Sequence, residues 1–267
     1  MTASAGPLRF AVVSGAGGGV PDLRAFAATP AEAARFAPLV YPGWRRYADE
    51  GFSALALVRD FADEIAGWRE RVAILGISLG GHLGYAVALR LLSLGVEVAG
   101  FCAIDSFLIP SADVRPGSAG RNLARLRVLA QRGSLGRRGT QVHALFWRAL
   151  LRLAGDRAPP LLRRWRDSGL FRAACAVDRT FENELNMRLL MRATAPWLGE
   201  LDRKPVPLPV RAAHLRTASA AESDDAWRAR CPDIEFLEIP GNHDSLLDPE
   251  NFAAMRRAFA TATRGWE

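Results

Sequence analysis

The feature that most restricts this 267-residue chain is a short apolar run that passes through a glycine-serine turn straight into a helix. Arg71 to Gly76 (Arg-Val-Ala-Ile-Leu-Gly) has the length and the β-formers of a buried strand. From Gly81 onward, His82-Leu-Gly-Tyr-Ala-Val-Ala-Leu-Arg-Leu-Leu-Ser93 holds few breakers and reads as a largely buried helix. Between them stands Gly76-Ile77-Ser78-Leu79-Gly80, a Gly-x-Ser-x-Gly pattern. A strand that bends sharply into a helix strains the central serine, and the flanking glycines let strand and helix pass without Cβ clashes. Such a turn lifts Ser78 Oγ off the sheet and places it at the positive end of the helix. The same five residues can serve as a plain connector, but the strand before and the helix after are the context a nucleophile requires.

The rest of the chain repeats the alternation. Leu8–Val13 reads as a first strand, ending in the loop Ser14-Gly15-Ala16-Gly17-Gly18-Gly19. That loop lacks the Gly-x-Gly-x-x-Gly spacing and the Gly-Lys-Ser/Thr of phosphate binders, and suits backbone N–H groups facing an oxyanion. A helix over Leu23–Phe36 with a break near Pro30, a strand over Phe36–Tyr41, and a helix over Phe52–Glu70 follow, the last with apolar residues at helical spacing. Val96–Asp105, Val210–Thr217 and Ile234–Ile239 read as further strands, Ala221–Arg230 and Pro249–Thr263 as helices. Strands alternating with helices imply right-handed crossovers and a mostly parallel central sheet flanked by helices, an α/β fold.

Between Pro110 and about Pro209 the rhythm stops. Helical stretches near Asn122–Arg132, Gln141–Ala154, Leu161–Val177 and Thr180–Leu198 alternate with glycine-rich connectors, so residues 108–205 are expected to form an inserted helical lid within a single domain of residues 1–267. Pro205-Val-Pro-Leu-Pro209 reads as a stiff hinge back to the core. The formal net charge of +7 is arginine charge, since Lys204 is the sole lysine. From Ser106 to Lys204 there are 19 Arg and Lys against 8 Asp and Glu, so the basic excess sits in this segment. No aromatic–basic recognition motif accompanies it, and nucleic-acid binding is not expected. No apolar run is long enough to span a bilayer, and the first residues carry neither a basic nor an apolar leader region, so a cytoplasmic protein without membrane attachment is expected. Cys102, Cys175 and Cys231 are odd in number and widely spaced, which suits reduced thiols better than disulfides or zinc.

Four histidines are present. His82 reads as a packing or solvent residue, His143 lies in the insertion, and His214 lies inside a strand. His243, in Pro240-Gly-Asn-His after the last strand, shares a sheet rim with Ser78. A serine needs a neutral imidazole to take its proton, and the imidazole needs a buried carboxylate to hold its tautomer. Position alone leaves that acid open between Asp105, at the end of the strand after the nucleophile helix, and Glu222, Asp224 or Asp225, after the strand preceding the histidine strand.

Gly76-Ile-Ser-Leu-Gly-Gly81, Ala103-Ile-Asp-Ser106 and Pro240-Gly-Asn-His-Asp-Ser-Leu-Leu247 resemble the type I thioesterase domains of nonribosomal peptide and polyketide synthases. The resemblance covers about Leu8–Phe107 and Val210–Phe259, and extends to the insertion only in character. It implies the α/β-hydrolase fold with Asp105 as the acid beside Ser78 and His243. Ala16-Gly17-Gly18 resembles the family's oxyanion loop, implying the backbone N–H groups of Ala16 and Leu79 as oxyanion donors. Ser14-Gly15 stands where His-Pro or Phe-Pro is frequent, and Asn242 where Gly or Asp is. The activity implied is release of an acyl or peptidyl chain from the phosphopantetheine of an acyl or peptidyl carrier protein, by hydrolysis or macrocyclisation, without metal or organic cofactor. An editing thioesterase, a stand-alone serine esterase or lipase of the same fold, and a catalytically silent binding protein are the other readings.

Overall fold

The computed structural model describes residues 7–68, 70–107, 158–167 and 179–266. Among these residues six strands form one sheet: β1 (Leu8–Val13), β2 (Phe36–Pro38), β3 (Arg71–Ile77), β4 (Val98–Ile104), β5 (Ala212–Arg216) and β6 (Ile234–Glu238). Their order is β2-β1-β3-β4-β5-β6, and every pairing is parallel. The order reverses between β1 and β3, which opens a crevice beyond their carboxyl ends. The register levels those ends. Val13 pairs with Gly76, Ile77 with Ile104, Ile104 with Leu215, and Arg216 with Glu238. Ser14, Ser78, Asp105 and Thr217 therefore follow their strands onto one rim.

The α-helices among the described residues are α1 (Pro30–Ala33), α2 (Trp44–Tyr47), α3 (Ala54–Ala66), α4 (Leu79–Ser93), α5 (Ala158–Asp167), α6 (Arg179–Arg203), α7 (Asp224–Arg230) and α8 (Phe252–Ala262). Alternate strand residues point to opposite faces. One face carries Phe10, Leu75, Cys102 and Leu215 into a core closed by Phe252, Met255 and Phe259 of α8. On the other face α4 crosses so closely that a Cβ at Gly84 would lie 3.0 Å from Ile74 Cγ2. Helix α3 packs beside α4 and buries Leu57, Phe61 and Ile65 along one stripe of its helical period.

The expected helix over Leu23–Phe36 is replaced by a 3-10 turn at Leu23–Ala25 and the single turn α1. Pro30 forces its predecessor Thr29 into extended backbone (φ −125°, ψ 156°), where the Thr29 hydroxyl caps the Glu32 N–H. The strand expected over Phe36–Tyr41 ends at Pro38, a residue tolerated because β2 is an edge strand.

The chain divides into two compact units. The first, with the whole sheet, comprises Met1–Tyr41, Ser53–Leu108 and Trp197–Glu267; the second comprises Pro42–Phe52 and Ile109–Pro196. Within the second unit the Trp44 N–H donates to Asn186 Oδ1 at 2.5 Å and the Arg163 guanidinium to the Ala48 carbonyl at 3.3 Å, so α2 belongs with α5 and the part of α6 up to Pro196. The expected insertion at 108–205 lies largely outside the described residues, as do its helices at Asn122–Arg132 and Gln141–Ala154, most of that at Leu161–Val177, His143 and Cys175.

Candidate active site

The Gly-x-Ser-x-Gly turn is built by exclusion. Ser78 sits between β3 and α4 with φ 56° and ψ −122°, a left-handed backbone that costs a non-glycine residue of order 1–3 kcal/mol. A Cβ at Gly76 would lie 2.5 Å from Gly81 Cα, and one at Gly80 would collide with the carbonyl oxygens of Val13 and Ser14 at the end of β1. A Cβ on Gly81 would meet Ser106 Cβ at 2.6 Å. Only glycine lets β1, β3 and α4 converge here. The Ser78 N–H donates to the Ile104 carbonyl at 2.8 Å, tying the turn to the strand that delivers Asp105.

On this rim Ser78 Oγ lies 3.0 Å from His243 Nε2, and His243 Nδ1 lies 2.7 Å from Asp105 Oδ2. Asp105 is fully buried and also in left-handed backbone, φ 44°. Its other oxygen, Oδ1, accepts from the Thr217 N–H at 2.9 Å and the Thr217 hydroxyl at 2.7 Å. Burial pushes the Asp105 carboxyl up, but the hydrogen bonds from His243 and Thr217 outweigh it and hold the group below the usual carboxylate range. It is an anion aimed at one imidazole nitrogen, while the other nitrogen faces a hydroxyl. That arrangement can take a proton from Ser78 and stabilise the imidazolium so formed. The competing acids turn elsewhere: Asp224 Oδ1 pairs with Arg216 Nε at 2.9 Å, Asp225 with Arg228 at 2.9 Å, and Glu222 is exposed.

The sequence profile of the alpha/beta hydrolase family matches residues 5–255. The chain belongs to that family. No curated protein matches its sequence. Among solved structures it is similar to the NocB thioesterase domain in covalent complex with a fluorophosphonate nocardicin G analog, at 14% identity over 98% of this chain and 96% of that one, TM-score 0.59. It is also similar to the Vlm2 thioesterase domain carrying 2,3-diaminopropionic acid and bound with a dodecadepsipeptide, at 20% identity over 96% and 94%, TM-score 0.54. A third is the RedJ thioesterase of the prodiginine pathway in Streptomyces coelicolor, at 20% identity over 97% and 87%, TM-score 0.54. At these identities the likeness is one of fold.

Around the three side chains the structure adds parts that motif reading passed over. Thr217 directly follows β5, the strand paired with β4, so strand order alone would have set it beside Asp105. Asn242, a departure from the family pattern, knits the histidine loop: its Oδ1 accepts from the N–H groups of Asp244 at 3.0 Å and Ser245 at 3.2 Å. The glycine loop reaches the nucleophile. A Cβ on Gly15 would lie 3.4 Å from Ser78 Cβ, the Gly18 N–H closes a turn onto the Gly15 carbonyl at 2.9 Å, and the Tyr41 hydroxyl donates to the Ser14 carbonyl at 2.6 Å. Ala16 is half-buried in that loop, and Leu79 begins α4.

The remaining described histidines are interior. Burial and the Arg230 cation push His82 down to about 3, and burial pushes His214 down to about 4. His214 Nε2 accepts the Ser106 N–H at 3.2 Å. Cys102 and Cys231 are buried free thiols, pushed up by burial. Among the described residues no three of His, Cys, Asp or Glu are grouped to hold a metal ion, and no helix is long and apolar enough to cross a membrane.

Proposed function

We propose that the chain is a serine thioesterase that releases an acyl or peptidyl chain from the phosphopantetheine thiol of a carrier protein. The carrying observation is the hydrogen-bonded line from Ser78 Oγ through His243 to Asp105, at 3.0 and 2.7 Å, on a rim where the glycine loop also ends. Fold likeness to the NocB, Vlm2 and RedJ thioesterases supports the substrate class.

In this reading His243 Nε2 takes the Ser78 proton as Oγ attacks the thioester carbonyl. The oxyanion is held by the Ala16 and Leu79 N–H groups, the second at the positive end of α4. Collapse breaks the C–S bond, the imidazolium returns its proton to the thiolate, and the acyl group rests on Ser78. Water then gives the free acid, or a hydroxyl or amine of the chain itself gives the lactone or lactam. In either case His243 takes the incoming proton and restores it to Ser78. The chain's own residues supply this chemistry without a bound cofactor, and the reaction belongs to cytoplasmic polyketide or nonribosomal peptide synthesis. Residues 108–205 serve as the lid. The basic excess between Ser106 and Lys204 suits an acidic carrier protein.

The test is thiol release from an acyl-pantetheine thioester beside the matching p-nitrophenyl ester, for wild type and Ser78→Ala. Ser78-dependent turnover that prefers the thioester supports the reading. Preference for the oxygen ester makes the protein an esterase, and absence of any Ser78-dependent turnover refutes a serine hydrolase.

A further inference from the structure

His82 lies one turn beyond Ser78 on α4, is 2% exposed, and stands outside the Ser78–His243–Asp105 line. Both its nitrogens are engaged. Nδ1 is 2.8 Å from Arg230 Nη1, and Nε2 is 3.2 Å from the Phe107 carbonyl oxygen. These partners leave one tautomer. A guanidinium only donates, so Nδ1 must accept; a carbonyl only accepts, so Nε2 must carry the hydrogen.

Arg230 is itself held. It is 1% exposed, its Nη2 donates to Asp202, and its guanidinium lies 5.2 Å from the Trp227 ring and 5.8 Å from that of Tyr85. An arginine this deep persists only when paired and hydrogen-bonded, so His82 Nδ1 answers a need that a carbon side chain would leave unmet. Trp227 stacks on the His82 ring at 5.3 Å and 23°, and its Nε1–H donates to the Ser106 carbonyl at 2.6 Å. Two consecutive carbonyls after Asp105, those of Ser106 and Phe107, are thus fixed by this buried assembly. The Phe107 ring then meets the His243 imidazole edge to face, centroids 4.8 Å apart at 68°.

We propose that His82 is a positioning residue for the reaction: locked in its Nε2–H tautomer by Arg230, it holds the Phe107 carbonyl and so seats the Phe107 ring against His243, keeping Nε2 aimed at Ser78. Among the described residues the His243 side chain hydrogen-bonds in its ring plane, to Asp105 and Ser78, and these bonds do not oppose tilting about the Nδ1–Nε2 line. An aromatic edge packed on the ring opposes that tilt. Proton transfer is sensitive to such alignment, so the loss should fall on kcat.

The inference rests on the serine-hydrolase reading above. Its test is steady-state kinetics on an acyl-pantetheine thioester for His82→Leu, His82→Gln, Phe107→Leu and the double variant His82→Leu/Phe107→Leu. His82→Leu should lower kcat about 10–100-fold with KM within twofold, the size expected for a misaligned catalytic group. His82→Gln, which offers an acceptor to Arg230 and a donor to Phe107, should recover most of the loss. Phe107→Leu should resemble His82→Leu while leaving the buried polar groups intact, and the double variant should be no slower than the slower single, because both act through one contact. A purely structural role would lower the melting temperature while the folded fraction kept its kcat. Wild-type kcat in folded His82→Leu, no rescue by glutamine, or losses that multiply in the double variant would each overturn the proposal. Should His82→Leu not fold, wild-type kcat in Phe107→Leu overturns it alone. A wild type that neither turns over nor labels with a fluorophosphonate defeats the hydrolase reading instead, and this inference with it.

Discussion

Asp105→Asn changes one atom of the proposed acid, and the surrounding hydrogen bonds dictate how the new amide must sit. Thr217 presents two donors to Oδ1, its N–H at 2.9 Å and its hydroxyl at 2.7 Å. The N–H cannot become an acceptor, so the asparagine carbonyl must take the Oδ1 position and the amide NH₂ must take the Oδ2 position, 2.7 Å from His243 Nδ1. Two donors cannot face each other there. The imidazole answers by moving its hydrogen to Nε2, where it points at Ser78 Oγ, 3.0 Å away, and no lone pair remains to take the serine proton. Reaction then requires the wrong pairing at Nδ1 and an imidazolium without its carboxylate. A lost charge-assisted bond contributes about 1.5–3 kcal/mol, and the tautomer penalty and lost counter-charge raise the total to about 5–6 kcal/mol, or ~10⁴-fold in kcat. The assay is thiol release from an acyl-pantetheine thioester, with fluorophosphonate labelling of Ser78 slowing alongside. A loss under tenfold, or a severe effect of Asp224→Asn in its place, would refute the reasoning.

Three further outcomes follow from the geometry. His82 and His214 are buried neutral with folded values of about 3 and about 4 against about 6.5 unfolded, so their contribution to stability is present above pH ~6.5 and falls as pH drops toward those folded values. Urea titrations should show stability falling between pH 6.5 and 4 with uptake of about two protons on unfolding; a flat profile there would contradict the burial argument. Gly80→Ala drives a Cβ into the Val13 and Ser14 carbonyls and should cost ~3 kcal/mol or more, about 6–12 °C in Tm by calorimetry, whereas Gly19→Ala, whose Cβ meets nothing within 4 Å, should stay within about 0.5 kcal/mol. If the basic excess between Ser106 and Lys204 steers an acidic carrier, kcat/KM on carrier-bound substrate should fall about tenfold or more between 50 and 500 mM salt while a free pantetheine thioester stays level; equal salt response would remove the carrier argument.

What could be read in the chain follows from how local each constraint is. Gly76, Ser78, Gly80 and Gly81 are set by contacts within a few residues or with the adjacent strand end, and such contacts leave a spaced motif. Parallel strands buried on both faces leave continuous apolar runs, so β1, β3 and β4 were legible nearly to the residue. Pro30 was legible as a break but not as the reason for an extended Thr29, so a helix was expected where two short turns stand. The acid illustrates the limit best. Asp105 directly follows β4 and Asp224 comes after β5 at the start of α7, so chain position favours Asp105 only slightly. The structure separates them by what else is near: Thr217 and His243 converge on Asp105, and Arg216 draws Asp224 away. The Arg230–His82 bond joins residues 148 positions apart, and nothing in the spacing of either announces the other. A histidine that reads as packing can therefore be committed on both nitrogens. The signal that could have exposed it is the coincidence of one buried cation and one ring that must stay neutral to receive it.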